Sequence, residues 1–297
     1  MPDPVHKPTA GVPLALLSVV IAMASIQTGA ALGKQLFPAV GPAGATTLRL
    51  VFASIILAIV WRPWRHWPVG AAWRPILIYG AALGGMNLLF YMSLARIPLG
   101  VAVALEFTGP LAVAVASSRR ALDWLYVAMA VAGVVILLPF HGAAAHLDIV
   151  GAGFALAAGA CWALYIVFGQ KSGAEAHGGA VASIGMLVAS AVVLPVGISQ
   201  AGADMLSPAL LPAAIGVAIL SSALPYSLEM LALKRLPTQT FSILMSGEPA
   251  LGALSGLLFL GEHLSVSQWL AIGLIIAASA GSSLSAQRRA MSPEIVP

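Results

Sequence analysis

Charge is what this sequence has least of. Asp, Glu, Lys and Arg make up 8% of its 297 residues, against roughly 25% in a soluble globular domain. So few charges do not cover a water-facing surface, which leaves embedding in a lipid bilayer as the reading. Cysteine is nearly absent. The single one, Cys161, lies inside the apolar run GACWALYIVFG. This excludes an internal disulfide and a cysteine-based metal site and leaves the role of a small buried hydrophobe. The six histidines (His6, His66, His141, His146, His177 and His263) fall in tails, loops or helix ends. None belongs to an HExxH zinc pattern or neighbours a buried Ser or Cys. The nearest approach to a nucleotide-binding loop, GAALGKQ from Gly29, is one residue short, lacks the final Ser or Thr and lies in an apolar stretch. No cofactor, no metal and no enzymatic activity are therefore expected.

Long loops are also missing, so no soluble domain is expected. The net charge of +4 and the isoelectric point near 9.5 would raise nucleic acid as a partner in a soluble protein. Here the basic residues sit in short loops, where they report topology, and no nucleic-acid partner is expected.

What is present is apolar sequence: 60% of residues are hydrophobic and the mean hydropathy is +0.98. The stretch Leu14 to Leu32 is longer than a signal-peptide core and is followed by Gly-Lys-Gln, not by a small-x-small cleavage site. It reads as the first membrane helix. A crossing needs about 20 mostly apolar residues, and ten segments qualify: 13–33, 43–61, 75–94, 99–117, 122–139, 149–169, 179–198, 210–230, 238–260 and 266–285. The expected fold is all-α and integral to the membrane, with a tail of residues 1–12 and another of 286–297.

Alternating the loops between two sides gives a strong bias. The side holding both termini carries Lys7, Arg62, Arg65, Arg74, Arg119, Arg120, Lys171, Lys234, Arg235, Arg288 and Arg289. The other side carries only Lys34 and Arg96. Both termini are therefore expected to be cytoplasmic.

The chain also repeats itself. RIPLGVAVALEFTGPLA from Arg96 and RLPTQTFSILMSGEPAL from Arg235 share Arg, Pro, Leu and Pro at one offset of 139 residues. GKQ at Gly33 faces GQK at Gly169 at a nearby offset. Each half, 13–140 and 149–285, holds five expected helices, an odd number. The second copy is then upside down in the membrane, the inverted-topology arrangement of secondary transporters.

The stretches GGMNLLFYMSLARIPLGVAVALEFTGPLAVAVASSRR, GACWALYIVFGQ and LPYSLEMLALKRLPTQTFSILMSGEPA resemble the threonine/homoserine exporters of the drug/metabolite transporter superfamily, the EamA-type ten-helix transporters. The resemblance runs over all of the chain except the tails. It implies a bacterial inner-membrane carrier that exports small neutral amino acids, driven by the proton gradient. Gly247, beside Glu248, departs from that pattern, where a bulkier residue is expected, and this bears on the substrate range.

Four charged residues stand inside the expected spans: Arg49, Glu106, Glu229 and Glu248. A charge at mid-membrane costs about 2.5–3.5 kcal/mol on insertion scales, so such residues face a cavity, a partner or an interface. Glu106 and Glu248 lie near the middle of helices 4 and 9, within one turn of Pro110 and Pro249. Pro110 cannot donate to the carbonyl of Glu106, and Pro249 likewise frees that of Met245, the repeat-equivalent of position 106. Such carbonyls are tolerated at that depth when buried in protein or lining water. A carboxylate there can hold a substrate ammonium, and an apolar environment lets a carboxyl group keep a proton. The alternative is that the prolines only kink two packed helices and each Glu pairs with a polar neighbour.

Glu229 suits either a gate or an interface anchor paired with Lys234 or Arg235. Arg49 suits a structural ion pair, contact with a substrate carboxylate, or snorkelling outward. Asn87 shares a face with Gly80, Gly84 and Tyr91. Tyr226, Gln27, Trp162 and Tyr165 are further candidates to line a path, with packing as the alternative for each. The GxxxG pairs Gly29/Gly33, Gly80/Gly84 and Gly252/Gly256 fit either packing within the bundle or a dimer face, so the oligomeric state stays open. Midplane carboxylates equally suit an exporter of another metabolite or of a cationic drug-like compound. An intramembrane lipid-modifying enzyme would need a reactive cluster that the sequence does not show.

Overall fold

A computed structural model describes residues 12–68, 70, 73–116, 121–137, 148–175, 178–233, 236 and 238–291. Seven helical segments among them are apolar and long enough to cross a membrane: Pro13–Lys34, Phe37–Trp61, Trp73–Leu94, Ile149–Ser172, Gly178–Leu206, Ile243–Leu260 and Val266–Leu284. Shorter apolar helices cover Leu99–Val113, Trp124–Leu137 and Leu211–Ala223. The chain is an all-helical, multi-pass membrane protein. Large apolar side chains such as Leu17, Ile59, Val60, Trp124, Leu258 and Leu270 lie on the outside, where lipid takes the place of water.

The elements are α1 (Val12–Lys34), α2 (Phe37–Trp61), α3 (Trp73–Leu94), α4 (Leu99–Glu106), α5 (Thr108–Ala116), α6 (Ala121–Leu137), α7 (Ile149–Glu175), α8 (Gly178–Ala201), α9 (Leu211–Ala218), α10 (Leu224–Leu233), α11 (Thr238–Met245), α12 (Glu248–Leu260) and α13 (Val266–Met291). The closest packed pairs are α3 with α7, α2 with α8, α6 with α13, and α1 with α9–α10. Each takes one helix from either side of residue 140. Between them, α4 packs on α12.

Two of the expected spans are broken in the middle. The 99–117 segment stops at Glu106 and restarts at Thr108, and the 238–260 segment stops at Met245 and restarts at Glu248. At the first break Phe107 keeps helical φ and ψ and its N–H donates to the Val103 carbonyl at 2.9 Å, so the chain keeps a helical course through it. Pro110 and Pro249 stand in the first turn after each break and leave the carbonyls of Glu106 and Met245 without the donor four residues on. The Thr108 hydroxyl donates to the Leu105 carbonyl at 2.7 Å, which helps to close the first break. A third irregularity precedes Pro225: Ile219–Ala223 forms a π-turn in which the Leu224 N–H donates to the Ile219 carbonyl. Helix 2 starts earlier than expected, at Phe37, and bends at Gly41, whose φ of +65° only glycine adopts freely, just before Pro42.

Glycines set the close approaches. A methyl on Gly29 would lie 2.9 Å from Ser221 Cβ, one on Gly84 2.8 Å from the Ala189 carbonyl oxygen, and one on Gly252 3.0 Å from Val103. Gly33 leaves space that the Tyr91 ring occupies, Gly80 meets Val188, and Gly256 meets Glu262. All six GxxxG glycines thus pack within the chain. The tightest crossing is between α7 and the break after α4. Gly109 faces the Gly159 carbonyl, and a methyl on Gly159 would lie 2.6 Å from the Glu106 carbonyl oxygen. The carbonyl that Pro110 leaves without a donor is thus covered by α7. Cys161, expected to be buried, is half-exposed on α7 beside Gly85.

At one end of the bundle, Lys34 at the end of α1 pairs with Glu262 at 2.7 Å, and Glu262 also accepts the Leu99 N–H at 2.7 Å. Nearby, Arg96 pairs with Asp148 at 2.8 Å, and Asp148 accepts the Val150 N–H at the start of α7. The Arg96 hydrogen bond holds the Asp148 carboxyl below its ordinary value.

Two stability predictions follow from this packing. Gly159→Ala should destabilise by about 1–3 kcal/mol through overpacking. Gly153→Ala, on the same helix with no atom within 4 Å of the added methyl, should be neutral or stabilising by up to about 1 kcal/mol. Thermal midpoints in detergent decide between them. By the same measurement, Glu262→Ala should cost about 1–3 kcal/mol and Glu262→Gln less, because the amide oxygen still accepts from Leu99.

Candidate functional site

The interior holds a cavity of about 680 Å³. Of the residues expected to carry function, it gathers Arg49 from α2, Asn87 from α3, Glu106 and Pro110 at the first break, Glu229 from α10, and Glu248 at the second break. Gln27, Trp162 and Tyr165 line it as well. Pro249 is buried one residue from the wall, in the first turn of α12. Tyr226 belongs to α10, and its side chain lies outside the described residues, as do Lys234 and Arg235, the partners expected for Glu229. The lining runs from Gln27 and Glu248 through Tyr165, Gln170, Glu229, Phe241 and Ser283, toward the end where α1 begins and α13 finishes. At the opposite end lies the Lys34–Glu262–Leu99 cluster.

Several lining residues carry no clear signal in the sequence. Ser221 and Ser222 reach the cavity because the π-turn presents them, and Ser279 and Phe107 complete the wall. π-turns recur at functional positions. The only available hint was two serines shortly before Pro225 in an otherwise apolar run.

The charges are held in an unusual way. Arg49, expected to form an ion pair, has neutral partners. Its Nη1 donates to the Tyr91 hydroxyl at 3.1 Å, its Nη2 donates to the Asn87 side-chain oxygen, and the guanidinium lies 5.1 Å from the Tyr91 ring centre. Asn87 is fixed in turn by donating to the Leu83 carbonyl at 2.7 Å. Glu248 accepts 2.9 Å from the Gln27 amide nitrogen. Buried Arg49 Nε, Glu248 Oε2 and Gln27 Oε1 have no hydrogen-bond partner among the described residues. Neither charged group is neutralised by a direct ion pair among the described residues. An ionised side chain kept in a protein interior normally has its counter-charge in contact.

A multi-pass helical bundle around a cavity lined by Arg49, Glu106, Glu229 and Glu248 fits a membrane transporter. Comparison with known proteins narrows it. Residues 149–284 match the EamA-like transporter family. The threonine/homoserine exporter RhtA of Escherichia coli K12 is 51% identical over 295 residues, 99% of each chain. RhtA of Salmonella typhimurium LT2 is 54% identical over 275 residues, 93% of each chain. A crystal structure of a protein 18% identical in sequence superposes with a TM-score of 0.58, covering 96% of this chain and 100% of that one, and shares the fold. The chain belongs to the EamA-like transporter family, and it is a transporter, not an enzyme.

Replacing Tyr91 with Phe removes one of the two neutral holds on Arg49. Stability should fall by about 1–2 kcal/mol, read as a lower thermal midpoint in detergent. An unchanged midpoint would mean that Arg49 does not depend on this hydroxyl.

Proposed function

We propose that this protein is a bacterial inner-membrane secondary transporter that exports small neutral amino acids, threonine and homoserine among them, by proton antiport. One observation carries the reading. A single cavity holds a buried cation and a buried carboxylate, each with only neutral hydrogen-bonding partners and a free polar atom. An α-amino acid brings an ammonium and a carboxylate, the two complementary charges, on one small molecule. The names of the 51–54% identical relatives support the same substrate class.

The proposed architecture is ten helices in two five-helix units, 13–140 and 149–285, related by inverted topology. Two features support it. The breaks at Phe107 and Ser246 stand 139 residues apart, the offset at which the sequence repeats. Every principal helix pair joins one unit to the other. With both termini cytoplasmic, the cavity in this conformation reaches toward the cytoplasm, and Lys34–Glu262 closes the outer end.

Glu106, Glu248 and Glu229 are the proposed proton and cation ligands, and Arg49 with Asn87 the carboxylate ligand. A proton arriving from outside neutralises a midplane carboxylate and weakens its hold on the ammonium, so substrate leaves outward. Loss of that proton to the cytoplasm restores the ligand. Because three carboxylates face one arginine, export of another cationic metabolite or drug-like compound is the second reading.

The test is efflux of labelled threonine and homoserine from proteoliposomes under an imposed pH gradient, with an unrelated amino acid as control. Glu106→Gln or Glu248→Gln should abolish the gradient's effect, lowering driven efflux at least about tenfold, a loss worth 1.4 kcal/mol. Undiminished gradient-driven efflux in both variants would sink the coupling scheme.

A further inference from the structure

We propose that the turn following α2 binds the headgroup of an anionic phospholipid, held by Arg62, Arg65 and Arg74 among exposed indole rings. The inference goes beyond the transport reading and does not depend on what the cavity carries. On the orientation proposed above, the lipid belongs to the cytoplasmic leaflet.

The segment WRPWRHWP alternates cations with indoles at the point where a helix ends. α1 runs to Lys34 and α2 returns from Phe37 to Trp61, so this turn lies at the end of the bundle away from the Lys34–Glu262 pair. The two ends treat their charge differently. At the far end Lys34 and Arg96 are each neutralised by a carboxylate of the protein, Glu262 and Asp148. From Arg62 to Arg74 the sequence contains no Asp or Glu. None of Arg62, Arg65 and Arg74 forms an ion pair among the described residues, and all three are exposed. Their counter-charge is left to the surroundings.

The backbone displays these groups. Arg62 caps α2 in the left-handed region, with φ +46°, and its N–H donates to the Ala58 carbonyl at 2.9 Å. Among the described residues it is the one non-glycine with a positive φ. Glycine takes that conformation without strain, so an arginine there is kept at a cost to the fold. Pro63–Arg65 then makes one 3₁₀ turn with Pro63 buried, while Trp64 and Trp67 stay 61% and 57% exposed. Trp61 is anchored in the space that Gly179 of α8 leaves. Trp67 meets Trp73 edge to face, with ring centres 5.2 Å apart. That contact brings the start of α3, and so Arg74, beside the turn.

An indole suits the headgroup layer, since its body is apolar and its N–H donates. Guanidinium groups bind phosphate through paired, planar N–H donors. The flanking helices supply an apolar outer surface, with Ile59 and Val60 exposed on α2 and Leu77 and Ile78 on α3. Together these fit a phosphodiester whose acyl chains lie along that surface. A zwitterionic headgroup carries its own ammonium and offers three arginines less net charge. A free phosphate makes no use of the indoles or of the apolar flank. The occupant that fits is a lipid with a net negative headgroup, of the phosphatidylglycerol type.

The experiment takes the full chain in neutral detergent and reads its thermal midpoint as phosphatidylglycerol, phosphatidylcholine or inorganic phosphate is added. Phosphatidylglycerol is expected to raise the midpoint at a concentration about tenfold or more below that needed of phosphatidylcholine, and phosphate to have no effect. Arg62→Gln combined with Arg65→Gln should raise the phosphatidylglycerol concentration required by about tenfold. Arg288→Gln combined with Arg289→Gln removes the same charge at the end of α13 and should change the requirement by less than about twofold. An equal loss in the two double variants means diffuse attraction to a basic face and overturns the site. So does an equal response to phosphatidylcholine, or a response to phosphate that matches the lipid. If the first pair does not accumulate, Arg62→Gly decides. Glycine suits the positive φ, so the lipid-free midpoint should not fall, while the phosphatidylglycerol requirement should rise about threefold or more. An unchanged requirement there makes Arg62 merely structural and counts against the site.

Discussion

A helix interrupted inside a membrane leaves backbone groups that lipid cannot satisfy. This protein carries two such interruptions, after Glu106 and after Met245, and the rest of the interior is arranged around them. At the first, α7 closes in so tightly that only glycine fits at 109 and 159, and the Thr108 hydroxyl takes the Leu105 carbonyl. At the second, the chain restarts with Glu248 and Pro249 in the first turn. The two carboxylates thereby occupy opposite kinds of helix end. Glu106 is the last residue of α4, and Glu248 is the first residue of α12. The two are not repeat-equivalents, since position 106 matches Met245, and the fold places one on each side of its break.

The helix α1 ties that interior to one end of the bundle. Gln27 reaches Glu248, and seven residues on, on the same helical face, Lys34 reaches Glu262. Along α12, Gly252 and Gly256 leave room for these contacts, the first beside Gln27 and the second beside Glu262. Glu262 also holds the first N–H of α4. One seam of α1, α12 and α4 therefore contains both a wall of the cavity and the contacts at the end where its lining stops.

Much of this was legible because the membrane imposes length. Apolar runs of about 20 residues between short charged loops read directly as spans, and the charges left inside them converge on one cavity. Other features were hidden for definite reasons. Pro110 marks the break in the sequence, but the cover that α7 gives the freed Glu106 carbonyl at Gly159 comes from a segment distant along the chain. Small-xxx-small spacing serves a bundle and a dimer face equally, so Gly80 and Gly84 needed α8 to be placed. The π-turn has no signature beyond two serines before Pro225. The partners of Arg49 are local only in three dimensions: Asn87 and Tyr91 were visible as one stripe on α3, but nothing said that α2 would present an arginine to it.

The neutral company that Arg49 and Glu248 keep is also an argument about what the cavity is for. Had the fold needed only to bury these charges, pairing them directly would have satisfied both, since a close ion pair repays part of the desolvation cost of each. A self-satisfied pair has little left to offer a ligand. Asn87, Tyr91 and Gln27 do something different. They orient each charged group by hydrogen bonds that cancel none of its charge. On the proposed reading, charges oriented by neutral groups keep their attraction for a ligand of opposite charge, which a directly paired Arg49 and Glu248 would have spent on each other.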